Sequence, residues 1–193
     1  MALAIVLCFQ VVPIEHVDAS AECPKMNFSE WNVISLGEPQ NAPQRTAGQS
    51  CAILCKESSV MHGCSTEMSD EDFDSQLEGS LVGLGADFLD ASRETGVCPY
   101  FLAAVCALES GWGDYPQGNN IAGLMIAGEY IKFDSKRDCI FYLARLIQSC
   151  YAQGGTYYSG DSTTLGISKS YNETPQKWAD AVNELIERIE NNE

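Results

Sequence analysis

The stretch Phe101-Leu102-Ala103-Ala104-Val105-Cys106-Ala107-Leu108 carries no charge and is apolar almost all round a helical wheel. A helix without a polar face must be enclosed by others, so this segment predicts a central, buried helix within a mainly helical fold. Pro99 suits the first position of that helix, where its missing N–H costs nothing, and Gly111 stands where it should end. One carboxylate, Glu109, lies near that end and is followed by Ser110-Gly111-Trp112-Gly113.

Two effects oppose a charge on Glu109. Apolar surroundings penalise the ionised form, and so does the negative end of the helix dipole. Both raise the pKa, as a general acid requires if it is to hold its proton near neutral pH. The plainer alternative is a helix-end Glu that points into solvent. The two glycines that bracket Trp112 predict a sharp turn that sets an aromatic face beside the carboxyl group. Asn119-Asn120 follow, with amides suited to sugar hydroxyl and acetamido groups or, equally, to a simple turn.

From residue 69 onward the pattern is helical. Ser69-Asp70-Glu71-Asp72 has the form of a capping box opening a short helix through Leu77. Leu81, Leu84, Phe88 and Ala91 follow helical spacing up to Gly96. Residues 121–133 read as a small hairpin, with Leu124-Met125-Ile126 approaching a turn at Gly128 and Tyr130-Ile131-Lys132-Phe133 leaving it. Ser135-Lys136-Arg137-Asp138 is a second capping box, starting a long helix with Ile140, Phe141, Leu143, Ala144, Ile147 and Tyr151 on its apolar side and Gly154-Gly155 as its stop. Thr174 and Pro175 begin a last helix with Trp178, Val182, Leu185 and Ile189 inward.

Residues 22–68 are different: four cysteines, several Pro and Gly, and little periodicity. Cys51, Cys55, His62 and Cys64 lie close together, a donor set that could hold zinc, although the spacing is not that of a zinc finger and Cys23 is left over. Disulfides or buried thiols are the reading preferred, and neither a metal nor a cofactor is expected. The first residues, Met1 to Val12, form an apolar run too short to span a membrane, followed by Pro13 and the small residues Ala19-Ser20-Ala21. They fit a secretory signal peptide over residues 1–21, which lacks a basic n-region, or an N-terminal strand or arm of an assembled protein such as part of a phage particle. Removing them leaves eight of the nine cysteines, an even number compatible with disulfides.

The formal net charge of −16 disfavours nucleic acid and anionic membrane as partners. It leaves glycans open, since sugars are read by hydrogen bonds and aromatic faces.

Taken together, Phe101 to Gly113, Gly118-Asn119-Asn120-Ile121-Ala122-Gly123-Leu124, Phe133-Asp134-Ser135, and Tyr171 with Pro175 and Trp178 resemble the endo-β-N-acetylglucosaminidases of glycoside hydrolase family 73, in the lysozyme-like superfamily. The resemblance covers about residues 69–190. It implies a mainly α (α+β), lysozyme-like helical domain with a small β-hairpin lobe over a groove, here preceded by an irregular cysteine-containing segment. It implies cleavage of peptidoglycan glycan strands between N-acetylglucosamine and N-acetylmuramic acid, with Glu109 as general acid and Tyr171 near the cleaved sugar. The Tyr171-Asn172-Glu173-Thr174-Pro175 stretch departs from the family's Tyr-Ala-Thr-Asp-Pro-like pattern.

The second catalytic group is open. Glu129 and Asp134 are the acids of the lobe; Asp134 precedes a capping Ser, which leaves Glu129, or else the substrate's own N-acetyl group with Tyr171 positioning it. Ser110, Trp112, Asn119, Asn120 and Tyr130 are candidate groove residues, each also readable as packing or turn. The alternatives to a glucosaminidase are a muramidase or lytic transglycosylase of the same fold, and a non-catalytic wall-binding or virion component. A secreted or wall-associated location is expected, or a place in a phage virion.

Overall fold

The computed structural model describes residues 50–62, 68–126 and 129–192. The apolar run and small residues read as a signal peptide or N-terminal arm, most of the segment before residue 68, Cys64 and the turn at Gly128 lie outside the described residues. The fold is mainly helical with one small antiparallel sheet. In chain order the elements are α1 (Cys51–Glu57), α2 (Asp70–Asp74), a 3-10 turn (Gly79–Leu81), α3 (Gly85–Thr95), α4 (Pro99–Ser110), β1 (Met125–Ile126), β2 (Glu129–Tyr130), α5 (Lys136–Leu146), a π-helical turn (Ile147–Tyr151), α6 (Thr164–Tyr171) and α7 (Pro175–Asn191).

Helix α4 is the axis. Every residue from Pro99 to Ala107 is buried, as its sequence demands. Helix α7, the long amphipathic one, lays Trp178, Val182, Ile186 and Ile189 on the core, while Leu185 is only partly buried. Phe73, Phe88, Leu89, Ile140, Leu143 and Ile147 close the core around α4. Both expected Ser caps form: the Ser69 hydroxyl accepts from the Asp72 N–H and the Ser135 hydroxyl from the Asp138 N–H, each satisfying a helix-start donor.

Four differences from the sequence reading have physical causes. Helix α1, although it precedes the change of character near residue 68, belongs to the same core, with Cys51, Ala52 and Cys55 buried in it. Its N-terminus is capped from the far end of the chain: the Glu190 carboxylate accepts from the Ser50 hydroxyl and from the backbone N–H groups of Cys51 and Ala52. Helix α6 is short and holds Gly166, which hid it among polar residues. The helix after Ser135 ends as α5 at Leu146, and the wider π turn carries the chain on to Tyr151.

The hairpin is also shorter than expected, with Met125 opposite Tyr130 and Ile126 opposite Glu129. Asn120 takes over the pairing that longer strands would make. Its side-chain amide donates to the carbonyls of Leu124 (2.7 Å) and Ile131 (3.1 Å), and its oxygen accepts from the Leu124 N–H (2.9 Å). Asn119 donates to the carbonyls of Phe133 (3.1 Å) and Asp134 (2.8 Å), tying the other end of the lobe.

Candidate active site

The chain turns abruptly after Glu109. Gly111, Trp112 and Gly113 all have positive φ, and Trp112 at 59° is a bulky residue held in the left-handed region. Strain of that kind persists only where surroundings enforce it. The Ser110 hydroxyl supplies part of the enforcement: it donates to the Cys106 carbonyl (2.6 Å) and accepts from the Gly113 N–H (2.9 Å). The Arg188 guanidinium lies over the Trp112 ring, 4.9 Å from its centroid, and is itself held by the Glu78 carboxylate. Ser110 and one face of Trp112 are therefore occupied in making the turn.

Glu109 sits at the end of α4, half-buried. Its Oε1 accepts a hydrogen bond from the Trp178 indole Nε1 at 3.0 Å. Gly123 closes on its other side: a Cβ there would lie 3.3 Å from Oε2, and its φ of +63° suits glycine. Burial pushes the carboxyl pKa up to about 7, and the indole N–H, which favours the charged form, offsets part of that rise. Among the carboxyl groups with a resolved shift, Glu109 alone moves upward; Asp161 moves down, held by Thr163 and Lys169.

Trp178 connects Glu109 to a run of aromatic rings. It packs edge-on against Phe101 and lies 5.0 Å from the Tyr171 ring, which meets Tyr151 at 5.7 Å. Tyr171 closes α6 and is only 5% exposed. Burial, and then the neighbouring charge of Glu109, raises its pKa well above the ordinary phenol value, so it is a neutral hydroxyl at any working pH. The structure thus brings Glu109 and Tyr171 together around one indole.

The remaining candidates are spread around this centre. Asn120 is 1% exposed and its amide is consumed by the lobe, and the Asn119 nitrogen is likewise engaged. Glu129 is exposed on β2, beside Tyr130, which is 43% exposed. The sequence reading missed three participants. Trp178 was assigned to the core, and its indole contact spans 69 positions of sequence. Gly123 has no side chain, and its closeness to Glu109 leaves no local signal in the sequence. Tyr115, 82% exposed, stands directly over Gly111 at the Glu109 end of α4; its place in the turn that follows the acid was the available signal.

No protein-family model matches the chain, and no curated protein matches it. No described helix is long and apolar enough to cross a membrane.

Proposed function

We propose that this protein is a peptidoglycan hydrolase that cleaves the glycan strand between N-acetylglucosamine and N-acetylmuramic acid, with Glu109 as its general acid. The supporting observation is a carboxyl group at the end of a buried helix, its pKa raised to about 7 by burial and its orientation held by the Trp178 N–H. An acid of that strength keeps a large protonated fraction at neutral pH and is still strong enough to release its proton.

Glu109 gives its proton to the glycosidic oxygen as the bond to the anomeric carbon breaks, so the leaving sugar departs as a neutral alcohol. The electron-poor anomeric carbon is met by the substrate's own acetamido oxygen, with Tyr171 as the positioning hydroxyl, or by a water that Glu129 deprotonates. The exposed rings of Tyr130 and Tyr115 offer faces for sugar rings. The reading entails a protein that meets the cell wall, as a secreted or wall-associated enzyme or as a phage virion component.

A single raised acid also suits the sister reaction of muramidases and lytic transglycosylases. Mass spectrometry of fragments released from purified peptidoglycan separates the three. Reducing N-acetylglucosamine ends are expected. Reducing muramic acid ends or anhydro-muramic ends would move the protein to one of the sister reactions, and tight binding without soluble fragments would make it a non-catalytic wall-binding protein.

A further inference from the structure

Helix α4 has a second cluster of reactive groups at its opposite end. Cys98 is the residue that caps its start, about 16 Å along the axis from Glu109 at the helical rise. Cys55, on the inner face of α1, points its thiol at the same place, and the two thiols are hydrogen-bonded. His62, on the loop that follows α1, brings its Nε2 to 3.6 Å from the Cys55 sulfur. The three donor atoms all lie within 4.8 Å of one another. Both thiols are buried and neither is in a disulfide.

We propose that Cys55, His62 and Cys98 form a zinc site that fastens α1 and the loop after it to the start of α4. Two thiolates and an imidazole are the donor set zinc prefers. A tetrahedral ion with Zn–S and Zn–N bonds of about 2.3 and 2.0 Å sets a sulfur and a nitrogen about 3.5 Å apart, close to the 3.6 Å between the Cys55 sulfur and His62 Nε2. The backbone around the cluster is already knitted for the purpose. The Cys98 N–H donates to the Val60 carbonyl (2.8 Å), the Val60 N–H donates to the Ser162 carbonyl (2.7 Å), and the Thr164 hydroxyl donates to the Cys55 carbonyl (3.2 Å). The fourth position of the tetrahedron is left to water or another ligand.

The sequence grouping of Cys51, Cys55, His62 and Cys64 pointed to this neighbourhood with a different membership. Cys51 is disulfide-bonded, Cys64 lies outside the described residues, and Cys98 lies well downstream of the grouping, at the start of α4. The site is remote from Glu109, so its role is to hold the helix that carries the acid, and it stands or falls independently of the reaction proposed above. Cys51 and Cys150 are both disulfide-bonded. In a chain that forms disulfides, a bound metal also keeps the Cys55 and Cys98 thiols from oxidising to each other.

The test is metal analysis of the full chain, produced with zinc in the medium and purified without chelator. About one zinc per chain is expected, as for a structural Cys/His site, falling close to zero in His62→Ala and Cys98→Ser. Cobalt reconstitution of the wild-type chain keeps the test open should a variant fail to fold: a thiolate-to-cobalt charge-transfer band is expected. Absence of both zinc and that band, zinc retained in both variants, or an intact mass that shows a Cys55–Cys98 disulfide would overturn the proposal.

Discussion

The Trp178 indole donates to the Glu109 carboxylate at 3.0 Å, so the residue that steers the acid on α4 comes from the first turn of α7. A donor aimed at a carboxylate stabilises its charged form. Trp178→Phe therefore raises the pKa of Glu109 further, by about one unit if the bond is worth a typical 1–2 kcal/mol to the charged group. The alkaline limb of the pH–activity profile should move upward by that amount. An unmoved limb would mean that the bond does not act on the ionised acid.

Glu109 also writes itself into stability. Its folded pKa of about 7 lies above the ordinary 4.5, so the folded chain binds the proton more tightly than the unfolded one. The contribution is fully present below pH 4.5 and is lost as pH rises through 7, by about 3 kcal/mol. Glu109→Gln removes that dependence. Denaturant titrations should show the variant and the wild type alike near pH 4 and the variant more stable by about 3 kcal/mol at pH 8. Equal stabilities at pH 8 would contradict the shift.

Gly123 stands against the Glu109 carboxyl with a φ of +63°. Gly123→Ala places a methyl 3.3 Å from Oε2 and forces a side chain into the left-handed region, at about 1–2 kcal/mol. Stability should fall by that amount. Activity should fall more than tenfold, because the carboxyl group must shift from its place beside Trp178. Full activity would show that the carboxyl has room to spare.

Asn120 and Ser110 are predicted to act on stability rather than on substrate affinity. Asn120→Ala strands the Leu124 N–H and the Ile131 carbonyl, while the Leu124 carbonyl keeps the Ile131 N–H, at a cost of about 2–4 kcal/mol. Ser110→Ala loses the clasp on the Gly111–Gly113 turn at about 1–2 kcal/mol. Thermal unfolding measures both. A KM raised at unchanged stability would return either residue to direct contact with the sugar.

Much of this fold could be read in one dimension because its signals are local. The continuous apolarity of α4 predicted a buried axis, and Ser69 and Ser135 predicted helix starts through contacts three residues long. What escaped was made by distant parts of the chain. The α1 start depends on Glu190, 139 positions from Cys51. The lobe is held by Asn120 rather than by long strands, which left its groove-like sequence signal with a structural use. Glu109 was marked by its helix end and by the Ser110-Gly111-Trp112-Gly113 turn after it, whereas the Trp178 and Gly123 contacts to its carboxyl group became visible only when α7 and the lobe folded onto α4.

The most direct measurement of the central claim is the release of reducing sugar ends from purified peptidoglycan by the wild-type chain and by Glu109→Gln, with folding of both verified by circular dichroism. The wild type should release them, with activity falling as pH rises through about 7, and the folded Gln variant should release fewer than one per cent as many, an effect on the order of the loss of a general acid. Near-normal release by the folded variant would contradict the assignment of Glu109 as the acid, and no release by the wild type would contradict the proposed activity.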